Sequence, residues 1–187
     1  MYHIKTDKRS LKSAQLITDA FLLLTTHKNF QDITISDIER ESGVARSTFY
    51  RLFDNTVDIL DYKCDLVFKD LIELHVHHLP EDITTIMQYA GTYWMKNEQL
   101  LEVITESGHQ EVLLNSFQNN LEKILELFYD KLPDIQPVYQ EYYLTLLSSM
   151  ISGTLITWAK RGGKESPETL WQIICNLIQE MHSLFLS

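Results

Sequence analysis

The chain has 187 residues, 44% of them hydrophobic and 22% charged, the make-up of one folded unit or a small unit docked on a larger one, and this excludes a disordered protein. Four prolines and six glycines are too few for a loop-rich or all-β protein, so an all-α fold is expected. Cys64 and Cys175 make no disulfide or metal pattern, and the polar stretch from Met1 to Lys12 has no signal-peptide core, so a cytoplasmic protein is expected.

The formal net charge is −10, unevenly spread. Residues 1–56 hold eight Lys or Arg and seven Asp or Glu, a net charge of +1, whereas residues 57–187 hold eight and nineteen, a net charge of −11. A polyanionic partner is therefore expected at the first third of the chain.

Leu16, Ile17, Ala20, Phe21 and Leu24 recur at helical spacing and predict a first helix from Arg9 to Thr26, broken by His27-Lys28-Asn29 with Asn29 in a left-handed C-terminal position. Thr34-Ile-Ser-Asp37 has the form of a capping box, opens a short helix that carries Ile38 inward, and is followed by Gly43 as its stop. A third helix runs from Arg46 to Phe53, with Phe49 and Phe53 inside. Asn55 to Asp58 opens a long fourth helix that ends before Pro80. Three further stripes follow: Ile83, Ile86, Met87, Ala90 and Trp94, then Leu100, Leu101 and Ile104, then Leu113, Phe117, Leu121, Ile124 and Phe128 before Pro133. A helix over Pro137–Arg161 stops at Gly162-Gly163, and Ser166-Pro167 caps a last one reaching Leu186. About nine helices result. Tyr142 to Ala159 carries no charge, but its Ser, Thr and Gly content suits burial between two protein surfaces better than lipid.

Two short helices joined by a turn at Gly43 have the proportions of a helix-turn-helix. Ile38, Val44, Phe49 and Phe53 would pack the pair on the first helix, leaving Arg46, Ser47, Thr48, Tyr50 and Arg51 around the outer side of the second. An Arg fork matches guanine O6 and N7 in the major groove, and hydroxyls suit phosphate oxygens. The bland readings are a solvated Arg46 and a core Tyr50.

The run I-T-I-S-D-I-E-R-E-S-G-V-A-R-S-T-F-Y-R-L-F resembles the DNA-binding region of TetR-type regulators through Thr34, Asp37, Ile38, Gly43, Val44, Thr48, Phe49, Tyr50 and Phe53. Gly153, Trp158, Gly162 or Gly163, and Ser166-Pro167-Glu168 resemble the last two helices of that family. The resemblance implies a helix-turn-helix DNA-binding domain over residues 1–56 and a helical effector-binding and dimerisation domain over 57–187. It implies phosphate contacts from Thr34, Thr48 and Tyr50, base reading by Arg46 and Ser47, and lesser contacts from Ser36 and Arg51. The chain departs from the pattern at Ala45, where a Ser often caps the recognition helix, and at Asn55-Thr56-Val57, where Ser-Lys-Glu often opens the fourth. The first omits a cap and the second a phosphate contact.

The resemblance further implies a repressor released from a palindromic double-stranded DNA operator when a small-molecule effector shifts the fourth helix. Tyr89, Tyr93, Phe117, Tyr143 and Met150 are the effector-contact candidates, against the bland reading of core aromatics. Both faces of the eighth and ninth helices are apolar, which predicts a homodimer, with Leu155, Trp158, Ile174 and Ile178 as interface candidates. Of His75, His77 and His78, only His75 and His78 share a helix face, and no third ligand joins them, so no metal is expected. No cofactor and no enzymatic activity are expected, because neither a nucleophile elbow nor a phosphate-cradling glycine loop is present. The rival reading is an interaction protein of the same fold that acts through a protein partner and binds DNA weakly.

Overall fold

A computed structural model describes residues 1–75, 83–126 and 136–185. Among these the order is α1 (Lys8–Thr25), a 3-10 turn (Phe30–Asp32), α2 (Ile35–Ser42), α3 (Arg46–Leu52), α4 (Val57–His75), α5 (Ile83–Met95), α6 (Glu98–Ser107), α7 (Gln110–Glu126), α8 (Pro137–Lys160) and α9 (Pro167–Phe185). The predicted ends at Pro80 and Pro133 lie outside the described residues, as do the side chains of Ile124 and Phe128.

Local chemistry starts and stops these helices. Asp7 caps α1, its Oδ1 accepting from the amides of Arg9 and Ser10, and Asn55 Oδ1 does the same for the amides of Val57 and Asp58 at α4. Gly43 ends α2 at φ 67°, a left-handed conformation that costs a residue without a Cβ little. Asn29 does not act as a left-handed stop after α1. It is extended, with φ −65° and ψ 146°, and opens the 3-10 turn. α1 closes instead through Thr26, His27 and Lys28 amides that bond back to Leu23 and Leu24 carbonyls.

The first three helices and the N-terminal end of α4 close a head whose centre is Ile17, Phe21, Ile38, Phe49, Leu52 and Phe53, all buried. Stacked behind it, α4 packs on α7, and α8 closes the layer against α6 and α7. The apolar core runs unbroken from Ala14 in α1 to Ala159 in α8. Cys64 is wholly buried, and desolvation pushes its thiol up, as expected of a core residue. Among the described residues no helix is long and apolar enough to cross a membrane, and no cluster of His, Cys, Asp or Glu could hold a metal ion. His77 and His78 lie outside them.

Candidate nucleic-acid interface

The recognition unit begins at Thr34. Its hydroxyl accepts from the Asp37 amide at 3.2 Å, and Asp37 Oδ2 accepts from the Thr34 amide at 3.1 Å, so the capping box is complete. The Thr34 hydroxyl also donates to Asp37 Oδ2 at 2.8 Å. Both Thr34 donors are thus spent inside the head, and a phosphate contact from this residue requires one of those bonds to break. Asp37 itself is buried and meets Lys28 Nζ at 2.9 Å and Arg40 Nη2 at 2.6 Å. The Lys28 hydrogen bond foremost, then those from Thr34, hold its carboxyl well below the usual range.

The outer face of α3 carries the charge. Arg46, Ser47, Tyr50 and Arg51 are exposed and Thr48 is half-buried, while Phe49 and Leu52 face inward. Tyr50 is 46% exposed, which removes the core reading for that ring. Arg46 is held in position: Nη2 donates to the Tyr50 hydroxyl at 3.2 Å, Nη1 to Ser36 Oγ at 3.4 Å, and the guanidinium lies 5.5 Å from the Tyr50 ring centroid. Ser36 on α2 and Arg46 and Tyr50 on α3 form one exposed cluster, although ten residues separate its first members. Pre-ordering of the guanidinium lowers the entropy it loses on binding.

Ala45 gives α3 no side-chain cap. Glu39 supplies one from α2, its Oε1 accepting from the Arg46 amide at 3.2 Å. Motif spacing does not point to this residue. Its only signal in the sequence is an acidic side chain on the helix preceding an uncapped one.

The bundle sorts its candidates differently. Phe117 is 2% exposed and sits in a ring cluster, 4.8 Å from Phe68 and 5.2 Å from Trp94. It is a core residue packed against those two aromatic rings. Tyr89 and Tyr143 are exposed, and Tyr93 is half-buried. Met150 does reach a cleft between α5, α8 and α9, about 50 Å³ in volume, where it meets Met95, Leu155, Leu170 and Trp171.

The dimer candidates also divide. Leu155 and Trp158 are 3% and 5% exposed within one chain, so neither is open to a partner. Trp158 is covered by the Gly162-Gly163 turn and donates through Nε1 to the Glu165 carbonyl at 2.9 Å. Ile174 is half-buried in the cleft wall, and the Ile178 side chain lies outside the described residues. The open apolar surface is instead Tyr139, Tyr142, Tyr143 and Leu146 on α8 with Ile173 and Leu177 on α9.

Residues 81–180 match the TetR-type family described as the transcriptional regulator C-terminal region. A curated relative, the uncharacterized HTH-type transcriptional regulator YxbF of Bacillus subtilis (strain 168), is 27% identical over 176 residues, 88% of this chain and 44% of the relative. The chain therefore spans less than half the length of that relative. Among solved structures, Lin0861 from Listeria innocua shares the fold at a TM-score of 0.78, with 16% identity and 96% of each chain covered. The dihydroxyacetone kinase operon activator DhaS shares it at 0.60, with 20% identity over 92% of this chain and 97% of its own. A putative TetR-family transcriptional regulator from Syntrophomonas wolfei str. Goettingen shares it at 0.61, with 17% identity over 91% and 95%. With more than half its length matched to the family, from α5 into α9, and a complete helix-turn-helix ahead of that region, this chain belongs to the TetR family of transcriptional regulators.

Proposed function

We propose that the chain is a cytoplasmic, homodimeric regulator in which residues 1–56 bind operator DNA and residues 57–187 sense an effector and dimerise. The observation that carries the reading is the exposed Arg46, braced by Ser36 and Tyr50 on the outer face of α3. A guanidinium presented there offers bidentate donors to a guanine edge, and the neighbouring Ser47, Thr48 and Arg51 serve as flanking base or phosphate contacts. Two copies joined through α8 and α9 would present two recognition helices to a palindromic site.

The effector half rests on the cleft between α5, α8 and α9. Its lining is almost wholly apolar, and the hydroxyls of Thr92 and Thr154 on its walls bond back to the Gln88 and Met150 carbonyls. An uncharged apolar molecule fits that chemistry. The volume of about 50 Å³ is below the roughly 300–1,000 Å³ of sites for drug-sized ligands, so binding selects a conformation in which α5 and α9 stand further apart. Release of DNA then follows from the differential affinity of the effector for the two states, and the chain represses the gene beside its operator.

Selection of bound duplexes from a random DNA library tests the reading. Enrichment of a palindrome supports it, and transcription in vitro from a promoter carrying that palindrome gives the sign of regulation. Failure to enrich any duplex at low salt overturns it in favour of a protein partner.

A further inference from the structure

The residues before α1 do more than lead into it. Tyr2 lies between the end of the recognition helix and the bundle. Its hydroxyl donates to Asp65 Oδ2 on α4 at 2.5 Å, and its ring packs edge-on against Tyr62 at 5.2 Å, which in turn meets Phe53 at 5.8 Å. The next residue, His3, donates its amide to the Leu52 carbonyl at the C-terminal end of α3 at 2.8 Å, and its ring Nε2 lies 3.1 Å from Asp54 Oδ1. Ile4 packs partly into the core.

Asp65 is the other half of the arrangement. Its second oxygen, Oδ1, accepts from Ser116 Oγ at 3.0 Å and from Asn120 Nδ2 at 2.9 Å, both on α7. One carboxylate thus joins three segments: the arm of residues 2–4, α4 and α7. Its charge is met by three neutral donors, with no cation in ion-pair range among the described residues, so each donor bears much of its stabilisation. Beside it lies an open hollow bordered by Tyr2, Asp61, Asp65 and Asn115. The opposite flank of the head is tied separately, by Gln99 Nε2 donating to the Leu22 carbonyl at 2.6 Å and by the Phe30 ring against His109 at 5.4 Å.

We propose that residues 2–4 form a clasp that sets the bearing of the recognition helix on the bundle, with Tyr2 as its positioning residue and Asp65 as the junction through which α7 is coupled to α3. The proposal rests on the DNA-binding reading above, but half of its test does not. In Tyr2→Phe the ring packing stays and only the hydroxyl goes. Amide hydrogen exchange of the full chain should then quicken about tenfold at residues 47–53, as expected for loss of one hydrogen bond to a charged group, while the melting temperature falls by about 3–6 °C, because the unfolded chain lacks the bond as well. Affinity for the palindrome selected by the wild-type protein should fall about three- to tenfold at equal fraction folded. Ser116→Ala with Asn120→Ala should produce the same local change from the α7 side, and adding Tyr2→Phe to that pair should add little. A purely structural role would lower the melting temperature and leave the affinity of the folded protein alone.

Unchanged exchange at 47–53 in Tyr2→Phe overturns the clasp, whatever happens to DNA. Quicker exchange with wild-type affinity overturns its positioning role. If the wild-type protein selects no duplex, the DNA-binding reading fails, and the exchange measurement alone still decides whether the clasp holds α3. Should Tyr2→Phe fail to fold, the same exchange and affinity measurements on the α7 pair support or overturn the clasp in the same way.

Discussion

The head and the α8–α9 pair end their surfaces in opposite ways. In the α2–α3 unit of the head the apolar core side chains are turned inward: Ile38, Phe49 and Phe53 are at most 1% exposed, and what faces out on α3 is Arg46, Ser47, Tyr50 and Arg51. On the α8–α9 pair Ser152, Thr154 and Thr157 bond back to their own helix, and Tyr142 and Leu146 stand 70% and 68% exposed. A surface of hydrogen-bond donors is finished by a polar, anionic partner, whereas a surface of Tyr, Leu and Ile is finished by another apolar surface. One chain thus carries two incomplete faces of different chemistry, and each can be broken without the other.

The largest effect should come from the apolar face. Leu146→Glu together with Ile173→Glu places charge on exposed positions of α8 and α9, so the fold survives while association fails. Sedimentation velocity at micromolar concentration should then report monomer for the variant, against the proposed wild-type dimer burying about 2,000 Å² or more, and affinity for a two-half-site duplex should drop about a hundredfold or more through lost avidity. A wild-type monomer would sink the proposed dimer. Leu155→Glu makes the contrast within the same helix: there the charge enters the core, and the chain should unfold.

The polar face should respond next. Arg46→Ala removes the guanidinium that Ser36 and Tyr50 hold, and should cost about 1–3 kcal/mol of specific binding, with relaxed preference at one base pair per half-site. Tyr50→Phe should weaken binding to all duplexes alike and by less. If competition binding across a panel of single-base operator variants shows Arg46→Ala with wild-type preference, base reading belongs to another residue.

The difference between the two faces also explains what can be read from the sequence. The head is built from contacts between residues close in sequence: Thr34 with Asp37, Gly43 nine residues beyond Thr34, and Arg46 with Tyr50 one turn away. Such spacing is visible in a string of letters, so the capping box, the turn and the exposed side of α3 are all legible there. α8 has apolar residues all round, and periodicity cannot say which side is inward. The choice is made by tertiary packing: Leu155 lines the cleft with Met95 of α5 and Trp171 of α9, and the Gly162-Gly163 turn covers Trp158. Phe117 reads as an effector contact in the sequence and is core in the fold for a similar reason, since its partners Phe68 and Trp94 come from helices far away in the chain. The Tyr2–Asp65 pair, 63 residues apart, leaves no local pattern at all.

A third break falls inside the head. The Asp37 carboxyl is depressed by Lys28, Thr34 and Arg40, so its contribution to stability is fully present above the ordinary carboxyl value of about 3.9 and is lost as pH falls from there toward its lowered folded value. Asp37→Asn should therefore melt well below the wild-type chain at neutral pH, and the two melting curves should approach each other in acid below about pH 4. Thermal melts followed by circular dichroism from neutral pH into acid would show this; a gap that stays constant with pH would mean that shape, not charge, makes Asp37 matter.

The smallest effect tests the borrowed cap. α3 begins at Ala45, which has no side chain to bond, and the Arg46 amide turns instead to Glu39 on the preceding helix at 3.2 Å. A helix cap contributes about 0.5–2 kcal/mol, and this one, long and solvent-exposed, belongs at the low end. Glu39→Ala should lower the melting temperature by about 1–2 °C, given about 2–4 °C per kcal/mol in a chain of this size. The same change removes a negative charge beside the DNA-facing surface, so affinity for duplex DNA should rise slightly while stability falls. Ala45→Ser separates the two roles, because a serine there can cap α3 directly. In the Glu39→Ala chain the serine should restore the lost stability; in the wild-type chain, where the amide already has a partner, it should add less. An equal gain from Ala45→Ser in both backgrounds would show that Glu39 does not cap the recognition helix, and that α3 is held in place by Phe49 and Leu52 alone.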